Sequence, residues 1–311
     1  AGFMNTLSAV FMSRRVVLLP TFEPDEWLKV VQEEKVTHAF LVPTMLSRVV
    51  STIREHPELY PTTLKNLSYG GAPSTPQQIR AAIETFPDVD LVGAFGLTET
   101  SSTVAILGPE DHRKALTGSE LEQARINSVG KPIPAVEIIV ADPVTNEPVA
   151  TGEKGEVLVR GPQVSGRYLG APDRIDDQGW FHTADLGYFD EEGYLFLAGR
   201  ADDMIQRGAE NVSPREVELA FEEHPKIEEV AAVGVPHPEW GQVVALAVVP
   251  KKDQTVTEEE LRAWARERLS SAKRPEYYVF MDELPRTATG KILAKDIRAM
   301  LAESPEFKNL A

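Results

Sequence analysis

The chain has 311 residues, 42% of them hydrophobic and 26% charged, enough for one large globular domain and a smaller one. It contains no cysteine, which excludes a disulfide framework, a thiolate metal site and a cysteine nucleophile. The formal net charge of −16 argues against a nucleic-acid partner, whose phosphates need a basic stripe, and means that an anionic substrate must be received by a local cluster of donors and cations. No apolar run reaches the roughly 18 to 20 residues that span a bilayer, and the first residues lack a signal-peptide pattern. A cytoplasmic protein without a transmembrane segment is expected.

In chain order, Ala1-Gly2-Phe3 carries no helix or strand signal, residues 7–12 are apolar, and a short strand is expected over residues 15–19. Trp27, Val30 and Val31 at helical spacing, with Pro24 in the first turn, predict a helix over residues 24–35. A buried strand over residues 38–42 and a helix from Pro43 to about residue 55 follow. Strands over residues 66–69 and 90–94 flank a helix over residues 76–86, and this strand, helix, strand spacing implies parallel pairing with helices on the sheet faces. From Asn127 the pattern becomes β-rich, with strands over residues 136–141 and 155–160 and a hairpin of residues 188–190 and 194–198 around Glu191-Glu192-Gly193. After Asp202 the chain begins afresh. Ser213 and Glu216 predict a capping box, and so do Thr257 and Glu260, ahead of helices to residues 223 and 269. Strands are expected over residues 229–235, 243–249 and 277–281, and a closing helix over residues 294–301. The fold class expected is therefore α/β: a large α/β portion with a β-subdomain over residues 1–201, then a small α+β domain over residues 202–311.

Four stretches carry chemistry. Tyr69-Gly70-Gly71-Ala72-Pro73 follows a strand and precedes a helix, where ligands meet open α/β sheets, and its glycines let backbone approach a flat ring or a phosphate. Phe95-Gly96-Leu97-Thr98-Glu99 lies past the next strand and offers a hydroxyl for a phosphate oxygen beside a hard oxygen ligand for magnesium. Asp185 and Arg200 stand on either side of the hairpin, an acceptor for hydroxyls and a donor fork that suit a ribose or phosphate compound; an ordinary surface ion pair is the other reading of these two residues. Pro285-Arg286-Thr287-Ala288-Thr289-Gly290-Lys291 is not a P-loop, since Pro285 stands where a Walker motif has glycine and Ile292 where it has Ser or Thr. The histidines are scattered and have no metal spacing.

Taken together and in this order, the four stretches resemble the adenylate-forming superfamily of acyl-CoA synthetases, luciferases and peptide-synthetase adenylation domains, and the chain resembles the C-terminal part of an acyl-CoA ligase. The resemblance implies an acid–thiol ligase using ATP, Mg2+ and coenzyme A: a carboxylate attacks the α-phosphate, giving acyl-AMP and pyrophosphate, and a thiol then attacks the acyl carbon. It implies that Gly71, Ala72 and Pro73 line adenine and the acyl pocket together with Phe95 and Gly96, that Thr98 contacts the α-phosphate, and that Glu99 holds magnesium. Asp185 and Arg200 would bind ribose, Asp202 would be the hinge, Lys291 would reach the reacting oxygens, and Gly208, Ala209 and Glu210 would form the thioester loop. Apolar or small residues at 42–45, 69–72 and 93–95 fit an aliphatic or aromatic acid. The chain departs from the family in four places. Phe95 stands where many members have tyrosine, Ala209 and Ala184 stand where glycine is usual, and the stretch from Ser165 to Asp177 is short. The family's Ser/Thr/Gly-rich phosphate loop is expected before residue 1, so the chain alone is expected to be inactive. An adenylation enzyme loading a carrier protein and a non-catalytic nucleotide-binding homologue are the alternative readings.

Overall fold

The computed structural model describes residues 2–166, 174–208, 210–287 and 292–303. It divides into two compact units, Ala1–Thr183 with Gly187–Leu197, and Ala184–Leu186 with Ala198–Ala311.

The first unit opens with helix α1 (Gly2–Phe11), α2 (Pro24–Glu33), strand β1 (His38–Leu41), α3 (Pro43–Glu55), β2 (Asn66–Gly70), α4 (Pro76–Thr85) and β3 (Asp90–Leu97). Pro24, Pro43 and Pro76 each open a helix where the missing N–H costs nothing, and Thr75 completes a capping box with Gln78 on α4. The strands pair in parallel, β1 to β2 and β2 to β3, with Leu41 opposite Tyr69 and Tyr69 opposite Gly93. Trp27, Leu28 and Val31 of α2, Leu46, Val49 and Ile53 of α3, and Ile79 and Ile83 of α4 bury against Leu41, Leu67 and Leu91 of the strands. The sheet continues through β4 (Ser102–Leu107), antiparallel to β3; after α5 (Pro109–Thr117) and α6 (Glu120–Ala124), β5 (Lys131–Pro132) pairs with β4. A four-stranded sheet follows in the order β6 (Glu137–Ala141), β7 (Gly155–Arg160), β8 (Phe181–Phe189) and β9 (Leu195–Arg200).

The second unit contains β10 (Ile205–Arg207), β11 (Glu210–Val212), α7 (Pro214–Glu222), β12 (Ile227–His237), β13 (Gly241–Pro250), α8 (Glu258–Arg268), β14 (Tyr277–Phe280) and α9 (Ala294–Glu303). Strict alternation along β12 and β13 sends Val230, Ala232, Val244, Leu246 and Val248 to a core with α7 and α8. Ala231, Val233, Val235, Val243, Ala245 and Ala247 go to the opposite face, against Ile297 and Leu301 of α9. A sheet buried on both faces reads as a continuous apolar run, as residues 243–249 do.

Some sequence expectations fail. Residues 15–19 form no strand: their β-branched content gives propensity, but they pair with none of the described strands, and a strand exists only with a partner. Gly2–Phe11 is helical without any capping signal. β3 runs to Leu97, three residues beyond the expected end, because it pairs with β4 across a bulge between Phe95 and Gly96. Thr257 forms its capping box with Glu260, whereas Ser213 makes no cap. The Ser213 hydroxyl donates instead to the Ala198 carbonyl at 2.5 Å, and Glu216 pairs with Lys273.

Candidate active site

Parallel pairing brings the ends of β1, β2 and β3 to one edge of the first sheet, so residues 42–45, the Gly71-Ala72-Pro73 loop and the Phe95–Glu99 stretch are neighbours. Gly71 adopts φ +85°, a left-handed conformation that favours glycine, and an added Cβ would meet only Val42 Cγ1, at 4.0 Å. Conformation therefore fixes Gly71, and the space in front of it is open. Gly96 is fixed by crowding, since a Cβ there would fall 1.5 Å from the Ser102 carbonyl oxygen on β4.

Tyr69 is buried at the end of β2 and its hydroxyl lies 2.8 Å from His112 Nε2. His112 Nδ1 is 2.6 Å from the Gly108 carbonyl, which can only accept, so Nδ1 carries the proton and Nε2 accepts from Tyr69. Burial pushes the His112 pKa down, with the Gly108 carbonyl and Asp111 opposing, and burial pushes the Tyr69 phenol well up. Both rings are thus neutral, and they couple the end of β2 to α5.

Thr98 and Glu99 lie in the turn between β3 and β4, Thr98 exposed and Glu99 half-buried. The next residue, Thr100, is fully buried: its Oγ1 accepts from the Leu97 N–H at 2.9 Å and reaches the carbonyls of Leu97 and Ser102 at 3.0 and 2.9 Å. Ser101 and Ser102 both have positive φ, +52° and +103°, which side-chain-bearing residues rarely adopt. Residues 161–166 brace the turn. Gln163 Nε2 donates to the carbonyls of Thr100 and Thr103, Ser101 Oγ donates to the Gln163 carbonyl, and the Ser165 N–H donates to the Glu99 carbonyl. Sequence reasoning missed Thr100, Ser101, Gln163 and His112; the run of hydroxyl residues from Thr100 to Thr103 was the available signal for the first two.

In the second unit, Arg200 Nη1 donates to Asp185 Oδ1 at 3.0 Å, and Nη2 lies 3.7 Å from Asp202. The Asp185 side chain is 11% exposed and that of Arg200 32% exposed, so the pair sits at a surface with one carboxylate held in place by a guanidinium. Ala184, beside Asp185, takes φ +61°, which explains why glycine suits that position. Asp202 is exposed in a short 3-10 turn, Ala201–Asp203. Gly208 has φ +61° and its N–H donates to the Trp240 carbonyl at 2.7 Å, while Glu210 opens β11 with an exposed side chain. Ala209, Lys291 with its neighbours Ala288, Thr289 and Gly290, and residues 167–173 of the stretch before Trp180 lie outside the described residues.

Among the described residues no group of three His, Asp or Glu side chains converges that could hold a metal by itself; the half-buried Glu99 carboxylate at the turn is one oxygen donor, compatible with an ion that takes most of its ligands from phosphate and water. No helix of the described residues is long and apolar enough to cross a membrane.

Comparison with known proteins gives a consistent result. The family description "AMP-binding enzyme" matches residues 1–169 and "AMP-binding enzyme C-terminal domain" matches residues 216–291. The 2-succinylbenzoate–CoA ligase of Geobacillus kaustophilus is 34% identical over 310 residues, covering 98% of this chain and 60% of that protein. The solved structure of the amide bond synthetase McbA from Marinactinospora thermotolerans superposes with a TM-score of 0.82 at 34% identity, over 92% of this chain and 57% of that one. The o-succinylbenzoate CoA synthetase MenE from Bacillus subtilis, solved with its acyl-adenylate intermediate OSB-AMP, gives 0.80 at 28% identity, over 97% and 58%. The chain thus spans about 60% of the length of the curated relative it matches. With more than half of the sequence matched and the paired strands of the first sheet carrying the motifs at one edge, the chain belongs to the AMP-binding enzyme family.

Proposed function

We infer that the protein carrying this chain is an ATP-dependent carboxylic acid–CoA ligase. The observation that carries this reading is the register of β2 and β3, Tyr69 opposite Gly93 and Gly70 opposite Ala94, which brings the Gly71 loop and the start of the Phe95–Glu99 stretch to the same end of the sheet. In the first half-reaction a substrate carboxylate oxygen attacks the α-phosphorus of ATP, and the bond to pyrophosphate breaks. Thr98 offers its hydroxyl to the α-phosphate, and Glu99 would hold magnesium, which would supply charge neutralisation to the phosphates. Lys291 stabilises the reacting oxygens, Asp185 and Arg200 bind ribose, and Gly71, Ala72, Pro73, Phe95 and Gly96 form the adenine and acyl walls. The acyl-adenylate seen in the succinylbenzoate relative supports this step.

In the second half-reaction the small domain, residues 202–311, turns about Asp202 and presents Gly208, Ala209 and Glu210. The thiol sulfur of coenzyme A attacks the acyl carbon, AMP leaves, and the thiol proton is released. The small and apolar residues around Val42, Tyr69 and Gly93 suit an aliphatic or aromatic acid, and we place the enzyme in the cytoplasm, where ATP and coenzyme A occur together. The likeness to an amide bond synthetase supports a second reading in which an amine replaces the thiol.

The test is acid-dependent ATP–pyrophosphate exchange by the complete gene product across a panel of fatty and aromatic acids. Exchange with some acid, reduced by about 100-fold or more in Lys291→Ala, is expected. A folded protein that binds AMP yet exchanges with no acid would sink the ligase reading. Acyl transfer to coenzyme A against transfer to amines then decides the acceptor.

A further inference from the structure

The backbone directly after Glu99 is the most strained stretch on this edge of the first sheet. Ser101 and Ser102 take φ +52° and +103° in succession. Side-chain-bearing residues hold such conformations only where their surroundings over-determine them. The turn's internal bonds tie its ends through Thr100 but leave the carbonyls of Thr100 and Thr103, which bracket the strained pair, to other partners. Both accept from one group, the side-chain amide nitrogen of Gln163, at 2.8 and 2.9 Å. Two carbonyl acceptors fix which end of the amide faces the turn, because only the NH2 end can donate to both. The same segment adds two more stitches, from Ser101 Oγ to the Gln163 carbonyl at 2.8 Å and from the Ser165 N–H to the Glu99 carbonyl at 2.6 Å. Gly166, next to Ser165, anchors the segment from behind, since a Cβ there would fall 2.7 Å from Ile175 Cγ1.

We propose that Gln163 is a positioning residue for the adenylation step: its amide clamps the strained Ser101-Ser102 backbone and so holds the Glu99 carboxylate and the Thr98 hydroxyl where magnesium and the α-phosphate of ATP are received. The proposal rests on the ligase reading for what the turn does, and on the hydrogen bonds above for how the turn is held. Gln163 itself touches no substrate in this scheme. Its effect passes through the Glu99 carboxylate, so the magnesium requirement of the first half-reaction is where it shows.

The experiment uses the complete gene product with Gln163→Glu, which keeps the side-chain shape but turns an acceptor toward two carbonyls, and Gln163→Ala. Both variants should lower the maximal rate of acid-dependent ATP–pyrophosphate exchange and raise the magnesium concentration for half-maximal rate, each by about 10- to 100-fold. The KM for the acid and the transfer of a supplied acyl-adenylate to coenzyme A should stay within about twofold, since neither needs the ion that Glu99 holds. Adding Ser102→Gly to Gln163→Glu should recover roughly fivefold or more of the lost rate, because glycine adopts φ +103° without the strain that the clamp opposes. A Gln163→Glu enzyme with unchanged magnesium dependence overturns the proposal, as does a loss shared equally by both half-reactions, which would mark a general folding role. If the wild-type protein exchanges with no acid, the ligase reading fails by itself. The clamp is then judged by calorimetric ATP binding with and without magnesium, where an equal magnesium effect in wild type and Gln163→Glu rejects it.

Discussion

The Thr98–Ser101 turn and the Asp185–Arg200 pair are held in opposite ways. The turn has no ion pair among its bonds to residues 161–166, which are neutral hydrogen bonds across a strained backbone. The pair is one charged contact between two strands, with most of the Asp185 side chain withdrawn from water. A neutral network fixes direction finely but fails if one member is lost, whereas a partly buried ion pair tolerates small shifts yet leaves a costly charge when one partner is removed. The largest expected effect therefore comes from the pair. On the proposed ribose role, Asp185→Ala should weaken AMP binding by about 100-fold, and it should lower stability by up to about 3 kcal/mol because Arg200 is left with only the exposed Asp202 carboxylate, 3.7 Å away. Calorimetric AMP titration beside urea unfolding checks both; a variant that binds AMP normally would remove Asp185 from the nucleotide site.

Thr100 tests the other side of the comparison. Thr100→Val keeps the volume but leaves the Leu97 N–H without the hydroxyl oxygen that accepts it inside a fully buried turn. A buried donor without a partner costs about 1–3 kcal/mol, and the turn should relax sooner than the unit unfolds. The urea midpoint should fall by that amount, and hydrogen exchange at Leu97 and Ser101 should rise more than in α3. Uniform acceleration across the unit would mean that Thr100 serves the core as a whole.

The same contrast decides what was readable. Strands β12 and β13 and helices α2, α3 and α8 announce themselves because burial and local pattern agree: alternation of apolar residues, proline at the first turn, or Thr257 with Glu260. The Asp185–Arg200 pair was visible because a hairpin fixes which residues can meet. The bracing of Glu99 was not visible, since Gln163 lies about sixty residues from the carbonyls it binds and no local pattern encodes that pairing. Ser213 misled for a related reason: its sequence fits a cap, but the carbonyl of Ala198 competes for the same hydroxyl and holds it. Residues 15–19 misled because propensity speaks for a strand and says nothing about whether an edge is open to pair with it.

His112 gives a pH-dependent effect of intermediate size. Burial holds its folded pKa below the ordinary value of 6.5, so between those two values the unfolded chain binds more protons than the folded one. Stability from this group is complete above about pH 6.5 and is lost as the pH falls toward the depressed folded pKa. His112→Gln removes that titration, and its amide can still donate to the Gly108 carbonyl and accept from Tyr69. Urea midpoints from pH 7.5 to 5 should therefore fall less steeply in the variant than in the parent. Parallel curves would mean that the acid sensitivity of the unit resides in other groups.

The smallest effect belongs to Ala184, where the two modes of support meet at one residue: a strained φ of +61° next to a charged pair. Glycine would relieve about 1–2 kcal/mol of left-handed strain. Against that, glycine costs about 0.4–1 kcal/mol through the greater freedom of the unfolded chain, and the loss of one buried methyl costs about 0.8 kcal/mol. The terms nearly cancel, so Ala184→Gly should change stability by less than about 1 kcal/mol while leaving AMP affinity intact. A clear gain in stability would show that strain dominates and that alanine is tolerated here at a cost. A loss of AMP affinity at unchanged stability would show instead that the Ala184 methyl helps to aim the Asp185 carboxylate, making the pair as dependent on backbone geometry as the turn is.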